Sequence, residues 1–144
     1  MSMTGLGVFD TTVQKSNLWL KSIMEELDWN DKHKAYLALR IVLHTLRDRL
    51  TFEAVVEFGA QLPMLIRGLY YEGWEPEGKP IKYKHKEDFL APVVSHFQDD
   101  PLLDAERVAR TVFDVIAKNV SEGEVKTIKN LLPKDLSSLW PKAA

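Results

Sequence analysis

A chain of 144 residues, 45% apolar and 28% charged, has the makeup of a soluble globular protein with one ordinary core or two small ones. Its formal charge of −2 gives no field to steer it to nucleic acid or acidic lipid, and the absence of cysteine excludes disulfides, thiolate metal ligands and thiol nucleophiles. No apolar run approaches the roughly 20 residues that span a bilayer, and MSMTGLGVFD lacks the basic and apolar blocks of a secretion signal, so a cytoplasmic protein is expected.

The first predicted helix carries Trp19, Leu20, Ile23 and Leu27, which share one helical face. The second runs from about Asn30 to Arg49 with Ala35, Leu39, Val42, Leu46 and Leu50 along one stripe, and Thr51 is the predicted cap of the third. Proline lacks an N–H and clashes with the preceding turn, so Pro63 is expected at the first position of a fourth helix. That short helix drops Ile66 and Leu69 onto the bundle. Residues 71–88 then read as a loop, with Gly73, Gly78, Pro76 and Pro80. The loop is basic through Lys79, Lys82, Lys84, His85 and Lys86. A solvated linker is the plain reading, and an RNA contact that stacks bases on Tyr83 and Trp74 is the sharper one.

Four more helices are expected beyond it. The fifth is capped near Asp88, with Pro92 in its first turn, and the sixth starts at Asp100–Pro101. Ser121 with Glu124 fits a capping box for the seventh, and Pro133 opens an eighth that carries Leu136 and Leu139. No segment alternates at period two. The expected fold is all-α.

The two sets of helices match. Residues 17–70 laid over 87–140, at a constant offset of 70, share eight identities, among them Arg40/Arg110, Leu62/Leu132 and Pro63/Pro133. The apolar pattern agrees more widely: Trp19 falls on Phe89, Ile23 on Val93, Leu46 on Ile116 and Phe58 on Ile128. Such register points to one four-helix unit used twice and packed as one compact helical domain. The divisions are 1–74, a linker at 75–86, and 87–144.

Local chemistry is sparse. None of His33, His44, His85 and His96 pairs with another at the four-residue spacing of a helical zinc site. The GLG at 5–7 lacks the strand and later glycine of a phosphate loop, and no nucleophile elbow occurs. No catalytic residue, metal or cofactor is therefore expected. The polar set worth singling out is Arg40, His44 and Arg47 on one face of the second helix, with Asp48 placed to pair with His44. Arg40 recurs as Arg110, so both are expected to pair with carboxylates and fix helix contacts. His44 and Arg47 become Asp114 and Ala117, which makes them the better site candidates. The same asymmetry marks the proline corner, where Arg67, Gly68, Tyr70, Tyr71 and Trp74 have no like counterparts. Arginine with aromatic rings is the composition of binding hot spots, and a helical glycine invites close approach of a neighbouring helix or a ligand.

At these blocks, YLALRIVLHTLRDRL (36–50) and FGAQLPMLIRGLYYEGWEP (58–76), the chain resembles the bacterial family known as domain of unknown function 2267, over nearly its whole length. The resemblance implies a small helical protein and brings no activity, substrate or catalytic residue. It would place any family site on Arg40, His44, Arg47, Asp48, Gln61, Arg67, Gly68, Tyr70, Tyr71 and Trp74. The leading expectation is a non-enzymatic module that binds a protein partner, or a second copy of itself, through the Arg67–Trp74 corner. The alternative is a small anionic ligand, or an enzyme with His44 and Asp48 as acid and base, in a groove between the halves lined by Arg40, His44, Arg47 and Arg67. Nucleic acid at the linker ranks third, and no membrane role is expected.

Overall fold

The structure, a computed structural model, describes residues 2–142. Eight helices and no strand occur among them. They are α1 (Gly7–Leu27), α2 (Lys32–Arg49), α3 (Phe52–Gly59), α4 (Met64–Tyr71), α5 (Lys86–His96), α6 (Ala105–Asn119), α7 (Glu122–Leu131) and α8 (Lys134–Ser137).

Side-chain caps start four of these helices. Asp31, Thr51, Asp104 and Ser121 each accept a bond from the amide three residues on, which satisfies one of the free donors at a helix start. Thr51 and Ser121 thus cap as their residue types imply. The capping box is only half made, because the Ser121 N–H donates to Gln61 Oε1 at 3.2 Å instead of to Glu124. Pro63 and Pro133 turn the chain at near-identical angles, φ −56° ψ 149° and φ −55° ψ 153°. Both stand at the N-cap, one residue earlier than expected. A proline there has no cap group to offer, so Thr12 of α1 supplies it, its hydroxyl accepting from the Leu65 N–H at 2.9 Å.

Two starts differ from the sequence expectation for a tertiary reason. The sixth helix begins four residues after Pro101, on Asp104, while Asp100 pairs with Lys34 Nζ at 2.7 Å. The fifth begins at Lys86, two residues before Asp88, because Asp135 of α8 accepts the Lys86 N–H at 2.7 Å. It consequently runs through Pro92, past its first turn, without that residue's backbone bond.

The core is one cluster that draws on both halves of the chain. α2 and α6 pack on each other at its centre; α1 lies against α2, α4 and α6, and α5 against α2, α6 and α8. Ala35, Leu39, Val42 and Leu46 of α2 meet Val108, Val112 and Ile116 of α6 in a cluster whose members are almost wholly shielded. Burial of each large side chain contributes about 1.5–3 kcal/mol. Between α4 and α5 the chain crosses the end of α2, with the Ile81 N–H on Asp48 O at 2.8 Å and Arg49 Nε on Tyr83 O at 3.0 Å. Burial pushes the Tyr83 phenol up to about 12, and its ring lies against the Arg49 guanidinium. No helix among the described residues is long and apolar enough to cross a membrane.

Candidate functional site

The C-terminal end of α4 is where the singled-out polar residues meet. A helix leaves its last carbonyls without internal partners, and α2 supplies donors for them. His44 Nε2 lies 2.7 Å from Leu69 O, so that nitrogen carries the proton and donates. Arg47 Nη1 donates to Tyr70 O at 2.8 Å and to Glu72 O at 2.9 Å. The guanidinium is 4% exposed as a residue, and its remaining edge faces Asp48 Oδ1 at 2.9 Å. Asp48 thus pairs with Arg47, not with His44. Arg40 Nη2 reaches Glu72 Oε1 at 3.1 Å, and Arg110 Nε reaches Glu106 Oε2 at 2.9 Å, so both arginines pair with carboxylates as expected.

The other candidates hold the opposite side of the corner. Arg67 caps the end of α3, its Nε on Gly59 O and its Nη2 on Leu62 O, both at 2.9 Å. Tyr70 is fully buried with its hydroxyl on Val55 O at 2.8 Å, and burial drives its phenol far above the ordinary value. Tyr71 lies over Gly59, where an added Cβ would meet the phenol oxygen at 2.3 Å. Trp74 packs between Phe52 and Tyr71, and its indole N–H has no acceptor among the described residues. Arg40, His44, Arg47 and Asp48 therefore converge at the α2 side of α4, while Arg67, Tyr70, Tyr71 and Trp74 sit on its α3 side.

Gly68 behaves differently. No heavy atom lies within 4 Å of where its Cβ would be, so no neighbouring helix accounts for it. It faces a groove of about 710 Å³ between α4 and the first half of α1. Leu39, Ile66 and Leu69 are among the deep lining residues, while Phe9, Met64 and Leu65, each about half exposed, stand at the rim. The only ionisable carboxylate in the lining is that of Glu72, already bonded to Arg40. None of the eight candidates from Arg40 to Trp74 lines this groove; they fix the helix that forms its wall.

The family model described as "Uncharacterized conserved protein (DUF2267)" matches residues 16–139. The chain belongs to the DUF2267 family. No curated protein matches it. The DUF2267 match spans α2, α3 and α4 whole, and it includes Gly68 and the residues that clamp α4.

Sequence reasoning missed the first turns of α1, which supply Phe9 and Thr12 to the groove. Their signal was present in Phe9, Val13 and Leu20, spaced near the helical repeat and running into the Trp19 face. It also missed a group made only by tertiary structure. His85, Glu87 and Asp135 bring possible ligand atoms within 4.8 Å of one another, all on exposed residues. Asp135 there already serves the Lys86 N–H at 2.7 Å.

Proposed function

We propose that this protein is a non-enzymatic interaction module whose α1–α4 groove takes the apolar face of an amphipathic helix from a partner protein. The observation that carries the reading is Gly68. A glycine inside a helix costs about 0.5–1 kcal/mol against alanine, and here nothing among the described residues uses the space it leaves. An approaching helix would use it, since a missing side chain lets two backbones come close. The groove suits such an occupant in length and in chemistry. Eight residues of α4 extend about 12 Å, two turns of a docked helix, and the lining is predominantly apolar.

Within this reading the polar candidates act through α4. Arg40, His44, Arg47 and Asp48 secure its C-terminal turn from the α2 side. Arg67, Tyr70, Tyr71 and Trp74 secure it from the α3 side, so the rim residues Met64 and Leu65 are presented on a rigid wall. A tandem origin fits the same picture. α3 and α7 start 70 residues apart, as do α4 and α8, and the pairings α1–α6 and α2–α5 exchange when the halves are exchanged.

The test is a photo-crosslinking residue placed at Leu65 in the intact chain in its native host, with exposed Leu102 as control. The captured peptide is then sequenced. Capture at Leu65 alone, of a foreign segment with apolar residues at helical spacing, supports the proposal. Equal capture at both positions, or none at Leu65, overturns it. Crosslinks to this chain's own peptides would assign the groove to a second copy and overturn the partner.

A further inference from the structure

The second half of the chain leaves open a space whose counterpart the first half fills. A groove of about 580 Å³ lies between α6, α7 and the segment after α8, and it shares no lining residue with the α1–α4 groove. Its walls stand 70 positions after residues of the first corner: Ala117 follows Arg47, Lys126 follows Val56, Lys129 follows Gly59 and Pro141 follows Tyr71. In the first corner the Arg47 side chain is buried against Tyr70 O, and the Tyr71 ring packs over Gly59. In the second, a methyl group replaces the guanidinium and a proline replaces the phenol, so neither is there to take up the room.

The lining is also cationic. It carries four lysines against two carboxylates. Asp114 is taken by Lys118, whose Nζ lies 3.0 Å from it and 3.1 Å from Glu26. Lys126, Lys129 and Lys142 are left against Glu122 alone, and none of the three pairs with a carboxylate among the described residues. The half-buried Lys129 donates to Pro141 O at 3.1 Å, which holds its ammonium at the groove with two N–H donors to spare. Ala117, Val125 and Pro141, all half-buried, supply apolar surface beside it.

We infer that this groove binds a small organic anion with an apolar body, an aryl or acyl carboxylate. Lys126, Lys129 and Lys142 hold the acid group, and the apolar part lies on Ala117, Val125 and Pro141. The first corner carries its own cation and ring; the second offers ammonium groups and takes both anion and ring from outside. A charge-assisted bond to the half-buried Lys129 is stronger than one on open surface, because less water screens it. The groove's volume falls within the range of about 300–1,000 Å³ that small-ligand sites occupy.

The test is a titration of the intact chain with 2-naphthoate at up to millimolar concentration, followed through backbone amide shifts in NMR. Saturable shifts are expected at Ala117, Val125 and Asn130. Lys126→Gln with Lys142→Gln, both at exposed positions, should weaken binding several-fold. The control, Lys82→Gln with Lys84→Gln in the exposed linker, removes the same charge and should leave it unchanged. Neutral 2-naphthamide, which lacks the charge, and acetate, which lacks the apolar body, should each bind several-fold more weakly than 2-naphthoate. No saturable shift at those three amides overturns the proposal. So does equal affinity for 2-naphthamide or acetate, or an equal loss in the two double variants.

Discussion

The two proline corners start alike and end differently. After Pro63, α4 runs eight residues; after Pro133, α8 runs four. The difference lies in what receives the last carbonyls. α4 has the Arg47 guanidinium, where the position 70 residues on is Ala117. At the second corner Lys129 Nζ reaches Pro141 O at 3.1 Å and Arg110 Nη1 reaches Ser138 O at 2.8 Å. Pro141 also disfavours helical geometry at Trp140, so the helix cannot continue. The packing partners change together. Gly59 leaves room for the Tyr71 ring, and their counterparts at an offset of 70 are Lys129 and Pro141. Only the first corner can hold a helix long enough to wall a groove.

Arg47→Ala should break that difference most severely. It leaves the Tyr70 and Glu72 carbonyls and Asp48 without their donor in a buried place, at a cost of about 3–4 kcal/mol in urea unfolding. Lys129→Ala, at a half-buried lysine of the second corner, should cost about 1 kcal/mol or less. Equal losses would mean that the corners are held in the same way. Gly59→Ala comes next, at about 2 kcal/mol, since its methyl group collides with the Tyr71 ring. In the Tyr71→Ala background the added penalty should largely vanish, and a double-mutant cycle reads that coupling.

Glu124 gives a smaller effect of opposite sign. It is 6% exposed at the position that Ala54 holds 70 residues earlier. Burial first, then Glu57, raises its carboxyl above the ordinary 4.5. The folded state thus holds this proton more tightly than the unfolded chain, and stability falls as pH rises above that ordinary value. Glu124→Gln should stabilise the protein by about 1 kcal/mol at pH 7. The gain should shrink on acidification to pH 4, as thermal unfolding at the two pH values would reveal. A gain that grows in acid would contradict the assignment.

The sequence made the repeated features legible because they are local. Thr51 and Ser121 cap helices three residues away, and the stripe from Ala35 to Leu46 has one buried face. What it hid was made at a distance. Asp135 starts α5 across 49 residues, Thr12 caps α4 across 53, and Gln61 takes the amide that a capping box would have used. The candidate residues were visible by composition and asymmetry, yet their partners are mostly backbone carbonyls, which carry no sequence signal. Gly68 was visible too. Only the geometry separates it from Gly59, whose space a tyrosine fills.

The most direct measurement is the unfolding free energy of Gly68→Ala against wild type. A glycine kept for an occupant outside the chain predicts a gain of about 0.5–1 kcal/mol, the ordinary helix propensity difference, with no rearrangement of α4. A loss of stability would mean that the fold itself requires the glycine, and would contradict the account.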